Sequence, residues 1–331
     1  MLNLAELDLP IAAVIGGQLD DVALIMERQL ASDLSPVNAL CRHIEQYRGK
    51  QLRPILVLLS GVAAGEPHGD GCGLTEKHRV LAAVTEMIHM ATLVHDDVLD
   101  EAQIRRGVVT LNYLRGNETA VMLGDYLISN AFLLCSTLQD PEINLSLGEV
   151  TNTLCAGELL QLHHRDDLDI DEATYLEIVR RKTASLIGEC CRLGALLSGA
   201  APAVMEGMCR YGTAVGIAFQ IQDDLLDITG DESVVGKSLH RDLDSGKVTL
   251  PLIRYLAAAD PAERCEVRRL FAQGRAGKLR LRLIESSAVA EAQRHAQLLV
   301  ETAKTELSVL PAGEPHDLLA TLADAVITRR F

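Results

Sequence analysis

The 331-residue chain contains no tryptophan, and aromatic residues make up 3% of it although 48% of the residues are hydrophobic. A core without aromatic bulk has to be filled by Leu, Ala, Val and Ile. Ala and Leu are strong helix formers, so this composition suits packed helices. No segment alternates apolar and polar residues for long enough to read as a strand. Positive charge is also scarce: the net charge of −15 argues against nucleic acid and anionic membrane surfaces as main partners. The eight cysteines contain no C-x-x-C pair, and adjacent Cys190–Cys191 is unsuited to an ordinary disulfide. Buried free thiols in a reducing compartment are expected, rather than a metal or redox centre. No signal-peptide pattern is evident, and no apolar run reaches the ~18 residues that a membrane span needs. A soluble cytoplasmic protein without a transmembrane segment is expected, and with no linker to cut at, residues 1–331 are read as one domain.

Helical periodicity is present almost throughout. Two helices are expected within residues 1–47, then a break at Gly49-Lys50 and a buried run Ile55–Ala64. Beyond a loop, Gly65–Gly73, the pattern predicts helices over Thr75–Asp100, Glu118–Leu138, Ile143–His164, Ala173–Ser198 and Pro202–Ile228. The run Glu118–Leu138 is so uniformly apolar that it belongs either at the centre of a bundle or against a second subunit. A long polar loop, Thr229–Lys247, precedes four further helices in Val248–Phe331, with breaks near Asp260-Pro261, Gly274–Gly277 and Pro311–Pro315.

Two acidic motifs interrupt this apolar pattern. Asp96, Asp97 and Asp100 form a D-D-x-x-D at the end of one predicted helix, and Asp223, Asp224 and Asp227 repeat it at the end of another. Residues four apart lie on one helical face, so Asp96 and Asp100 project together and repel. One such cluster alone reads as a solvated acidic turn. Two on facing helices make a carboxylate-lined cavity suited to Mg²⁺, which takes one or two carboxylates plus substrate phosphates. Arg105 and Arg106 follow the first motif at once, with forked donors that match phosphate oxygens.

These motifs, in order, resemble the trans-polyprenyl diphosphate synthase family, most closely its long-chain, octaprenyl-type bacterial members. The resemblance runs from about Gly49 to Pro251. It rests on GKQLRP (49–54), EMIHMATLVHDDVLDEAQIRRG (86–107), GDYLISNAF (124–132), KTA (182–184), FQIQDDLLD (219–227) and DLDSGKVTLP (242–251). It implies an all-α isoprenoid-synthase-type bundle of about a dozen helices around a central cavity. It also implies condensation of isopentenyl diphosphate onto an allylic prenyl diphosphate with Mg²⁺ as cofactor, while the continuous apolar surface of Glu118–Leu138 leads to the expectation of a homodimer that buries it.

Carried over residue by residue, the resemblance makes Asp96, Asp100 and Asp223 the metal ligands, with Asp97, Asp224 and Asp227 in support. Arg105, Lys182 and Lys237 would hold the allylic diphosphate, helped by Thr183, Gln220 and, on loop closure, Lys247. The second diphosphate must not ionise, and Lys50, Arg53, His89 and Arg106 match the metal-free pocket that binds it. The released diphosphate would take the final proton. His78, His95, His163 and His164 are expected to be satisfied core residues. The segment GKSLHRDL (236–243) departs from the family pattern, with His240 where glycine is common. Three other readings remain open: a farnesyl or geranylgeranyl synthase, a terpene cyclase, and a non-catalytic subunit of a heteromeric synthase. The cyclase needs no second diphosphate pocket, and a non-catalytic subunit would be expected to lose acidic motifs.

Overall fold

The computed structural model describes residues 10–47, 49–65, 73–230 and 241–328. Helix α1 (Pro10–Leu30) and α2 (Ser35–Glu45) precede α3 (Leu52–Ala64), whose residues are nearly all buried. Helix α4 (Glu76–Leu99) lies alongside α3 and, after the short α5 (Leu111–Arg115), packs against α6 (Asn117–Ser136) as well as against α1 and α3. Its middle, Val80–Ile88, is buried on every side, which explains why an apolar run with little amphipathic pattern still forms a helix there. Helices α7 (Pro141–His163), α8 (Glu172–Val179), α9 (Ser185–Leu197) and α10 (Pro202–Thr229) follow. The remainder is α11 (Arg241–Asp244), α12 (Leu250–Ala258), α13 (Pro261–Ala272), α14 (Ala276–Glu285), α15 (Ala288–Glu306) and α16 (Glu314–Thr328).

The breaks have local causes. Asp140 and Asp260 cap α7 and α13, accepting hydrogen bonds from Glu142 and Glu263 backbone N–H groups, and each is followed by a proline in the first turn. Asp171, in the acidic stretch RDDLDIDE (165–172), caps α8 through the Thr174 N–H at 2.7 Å. Helix α10 joins the two apolar clusters of the fold. Met208, Tyr211 and Val215 belong to one, while Ile221, Leu225 and Ile228, interleaved with the second acidic motif, belong to the other.

The structure departs from the sequence reading in several places. A two-residue hairpin, Ile104–Arg105 against Val108–Val109, stands where no strand was expected. Its turn is Arg106-Gly107, both at positive φ (51° and 79°), and a tight turn of that kind needs no alternating sequence to form. The predicted helix Ala173–Ser198 is divided by a π turn, Arg180–Ala184, between α8 and α9. The C-terminal part holds five helices after α11 rather than four, because Ser286-Ser287 separates α14 from α15. Cys155 and Cys265 are exposed, although every described cysteine is a free thiol as expected.

The expectation of no span-length apolar helix also needs correcting. By length and composition α6 is the one described helix that could cross a membrane. Ala120, Leu123, Leu127, Ala131 and Leu134 of α6 are nevertheless buried within this fold. Of the four histidines expected in the core, only His78 is buried. His163 is exposed, His164 pairs with Asp167, and His95 sits half-exposed against the Val121 carbonyl. Each of these three occupies a helix end or a helix–helix edge where a polar partner or water is within reach.

Candidate active site

The first acidic motif ends α4. Asp97 points inward and is almost fully buried, where it accepts from Arg105 Nε and Nη2, each at 2.8 Å from Oδ1. Burial pushes the Asp97 carboxyl up, Arg105 opposes that shift, and Asp96 and Asp100 add to it. Asn112 secures the same turn by donating to the Asp97 and Ala102 carbonyls. Arg105, expected to reach for a diphosphate, is thus anchored to the motif's middle carboxylate by the hairpin geometry. Asp96 and Asp100 are half-buried.

Lys182 and Thr183 occupy the π turn. The Lys182 ammonium contacts Glu158 of α7, donates to Gln161 Oε1 at 2.9 Å and stands 3.7 Å from Asp96 Oδ2. Burial alone would lower its pKa, but Asp96 and Glu158 outweigh that and raise it. Thr183, the next residue, turns the other way and donates to Gln220 Oε1 on α10 at 2.9 Å. Gln220 Nε2 in turn donates to Asp224 Oδ1 at 2.8 Å, and the Tyr175 hydroxyl donates to Asp224 Oδ2 at 2.6 Å. Burial, with Asp242 nearby, pushes Asp224 well above the usual carboxylate range. Adjacent residues of one irregular turn therefore reach both acidic helices.

The segment after the second motif completes the basin. Lys247 Nζ donates to Asp100 Oδ2 at 2.8 Å, and the Asp242 N–H donates to Asp227 Oδ2 at 3.3 Å. Lys182, Thr183, Gln220, Asp224, Asp242 and Lys247 line one cavity. Lys237 and His240 lie outside the described residues.

A second group of side chains gathers around His89, two turns before Asp96 on α4. Burial pushes the imidazole well below its usual range, and the positive charges of Arg53, Arg106 and Arg105 push it the same way. It is a neutral ring in a cationic setting. Arg53 Nε is buried without a hydrogen-bond partner among the described residues. Arg106 donates to the Tyr47 carbonyl, and its guanidinium lies where a Cβ on Gly49 would stand, so a side chain there would have to displace it. Lys50 is exposed on the same turn. The structure thus brings Arg53, His89 and Arg106 together.

The residues fit a divalent cation. Asp242 is raised to about 7 by burial and then by Asp227, Asp100 and Asp223, against the pull of Lys247. So much crowded carboxylate calls for added positive charge. Buried Asp97 Oδ2 has no hydrogen-bond partner among the described residues. No three acidic, His or Cys side chains among the described residues form a ready-made metal site. Sequence reasoning missed Glu158, Gln161, Tyr175 and Asp242. An acid and an amide three apart on a helix resemble any polar face, and only the contact to Lys182 distinguishes them.

Residues 35–284 match the polyprenyl synthetase family. The chain is 33% identical to octaprenyl diphosphate synthase of Escherichia coli, over 93% of this chain and 94% of that protein. It is 34% identical to a short chain isoprenyl diphosphate synthase of Methanothermobacter thermautotrophicus, over 91% and 94%. Its structure resembles a polyprenyl synthase from Caulobacter crescentus complexed with calcium and isoprenyl diphosphate. There the TM-score is 0.90 and the identity 31%, with 96% of this chain and 97% of that one covered. Family match, all-α fold and paired acidic helices agree: the chain belongs to the polyprenyl synthetase family and is a prenyltransferase.

Proposed function

We propose that this prenyltransferase is a Mg²⁺-dependent synthase that adds isopentenyl diphosphate to an allylic prenyl diphosphate and makes a long, octaprenyl-like all-trans product. The observation that carries this reading is the π turn, where Lys182 reaches towards Asp96 and Thr183 binds Gln220 beside the second motif. An allylic diphosphate seated at this turn would lie between both sets of carboxylates. Mg²⁺, held by Asp96, Asp100 and Asp223, would supply the positive charge that a departing diphosphate requires. Lys182 and Thr183 would orient the leaving group. Arg53, Arg106 and the neutral His89 would hold the second diphosphate away from the acidic basin, where it is not ionised.

The long product is supported by the small side chain of Ala91, five residues before Asp96 and fully buried on α4. A farnesyl- or geranylgeranyl-length product is the second reading, since every diphosphate-binding residue would be shared. Product analysis with labelled isopentenyl diphosphate and several allylic primers tests both. Chains well beyond geranylgeranyl are expected, and a product that stops there would favour the shorter reading. The intact acidic motifs speak against a non-catalytic subunit.

A homodimer and a cytoplasmic location belong to the same proposal. Val121, Met122 and Leu133 of α6 and Leu145 and Leu159 of α7 are exposed. These side chains, on two successive helices, are the surface that a second copy would cover. Light scattering should give twice the chain mass at micromolar concentration. The free thiols fit a reducing compartment. That α10 contributes to both apolar clusters supports a single synthase domain over 1–331.

A further inference from the structure

Lys182 stands between two acids on different helices. Glu158 and Gln161 of α7 take its ammonium, while Asp96 of α4 remains at 3.7 Å. The backbone beneath it has little room to move. A Cβ on Gly157 would come within 2.7 Å of Arg181 Cβ and 2.8 Å of the Lys182 nitrogen, so α7 presses directly on the turn. From the other side, a Cβ on Gly216 of α10 would come within 2.6 Å of Ala184 Cα. With the turn clamped between two glycines, the freedom left to Lys182 is the direction of its ammonium. Asp100 offers a contrast: there Lys247 has closed onto the aspartate at 2.8 Å.

We propose that Glu158 is a positioning residue that holds the Lys182 ammonium on the α7 side and so leaves Asp96 available to a divalent cation. This rests on the reading of Asp96 as a Mg²⁺ ligand. A largely buried ammonium does not stay unpaired, because an uncompensated charge there is strongly unfavourable. Without the Glu158 carboxylate only the neutral Gln161 amide remains on the α7 side, so the nearest anion is Asp96, and a lysine paired with Asp96 competes with the metal for the same oxygens. Glu158 is itself mostly shielded, with 17% of its side chain exposed, so water does little to weaken its hold.

The test is a mutant cycle read by calorimetric titration of Mg²⁺ alone and by the Mg²⁺-induced shift in melting temperature. Glu158→Gln keeps the side chain's shape and should weaken Mg²⁺ binding roughly tenfold, the scale of one charge-assisted contact redirected. In Glu158→Gln/Lys182→Met no ammonium is left to compete, and affinity should return to the wild-type value or exceed it. Glu158→Ala, carried through the same cycle, should give the same pattern if the glutamine variant does not fold. Unchanged Mg²⁺ affinity in the Glu158 variants, with Asp96→Asn weakened, would overturn this inference and leave the metal site standing. A loss that persists in the double variant would also overturn it, since the lesion would then not act through Lys182. If Asp96→Asn binds Mg²⁺ like the wild type, the metal reading itself fails and this inference falls with it.

Discussion

Lys247 Nζ donates to Asp100 Oδ2 at 2.8 Å, so the segment after the second acidic motif reaches the last aspartate of the first. Lys182 faces Asp96 across the basin but stops at 3.7 Å, its close contact being with Glu158. Each lysine comes from an element that follows a different acidic helix or faces one, and together they tie the basin across its width. These are also two of the cations proposed to meet the allylic diphosphate. The lysines would exchange a carboxylate for a phosphate when substrate and metal arrive.

The two proposed diphosphate pockets can be separated kinetically. Arg53→Ala and His89→Ala should mainly raise the KM for isopentenyl diphosphate, and Lys182→Ala should mainly affect the allylic substrate. One lost charge-assisted contact is worth about 1.5–3 kcal/mol, or roughly tenfold to over a hundredfold. Steady-state kinetics with each substrate varied in turn checks this, and equal damage to both substrates by both sets would remove the distinction.

Product length should respond to α4. If the growing chain passes Ala91, then Ala91→Phe should shorten the product while leaving the first condensation largely intact. Chromatography of the labelled products checks this. Since Ala91 is fully buried, a melting curve should accompany it, because an added ring in a packed core costs about 1–3 kcal/mol. An active, folded variant with unchanged product length would place the chain's path elsewhere.

Acid sensitivity should have one contribution from outside the active site. His78 Nδ1 accepts from the Thr75 N–H at 3.1 Å, and Nε2 meets Ser198 Oγ at 3.0 Å. Ser198 Oγ in turn donates to the Gly61 carbonyl at 2.7 Å, tying the start of α4 to α3 and the end of α9. Burial lowers the His78 pKa to about 4, with Arg79 adding to the effect and a backbone hydrogen bond opposing it. A depressed histidine contributes its full stability above the unfolded value near 6.5. That contribution is lost as pH falls from there towards 4. The stability deficit of His78→Gln relative to wild type should shrink by about 2 kcal/mol between pH 7 and pH 5. Urea unfolding at the two pH values measures it.

The acidic motifs were legible because carboxylates four apart on an apolar helix are unfavourable without a cation, and the chain repeats the arrangement. His89 and Arg53 were legible only through their motifs, since either alone looks like an ordinary core histidine or surface cation. Other features left no trace. Residues 173–198 are compatible with a helix throughout, so nothing in them announces the π turn that aims Lys182 and Thr183 in different directions. The pairing of Arg105 with Asp97 depends on positive φ at Arg106, a residue type that does not usually mark a turn. Glu158 became visible only through its partner, because long-range side-chain contacts are set by packing and not by local pattern.

The most direct test of the two-motif account is steady-state turnover of isopentenyl diphosphate with an allylic primer and Mg²⁺ in Asp96→Ala and Asp223→Ala, beside the wild type with and without EDTA. Each substitution should lower turnover by roughly a hundredfold to a thousandfold or more, the scale of losing a group that stabilises developing charge. EDTA should abolish wild-type turnover, and added Mg²⁺ should restore it. Near-normal turnover by either variant, or by the wild type in EDTA, would contradict the claim that both acidic helices act together through a divalent cation.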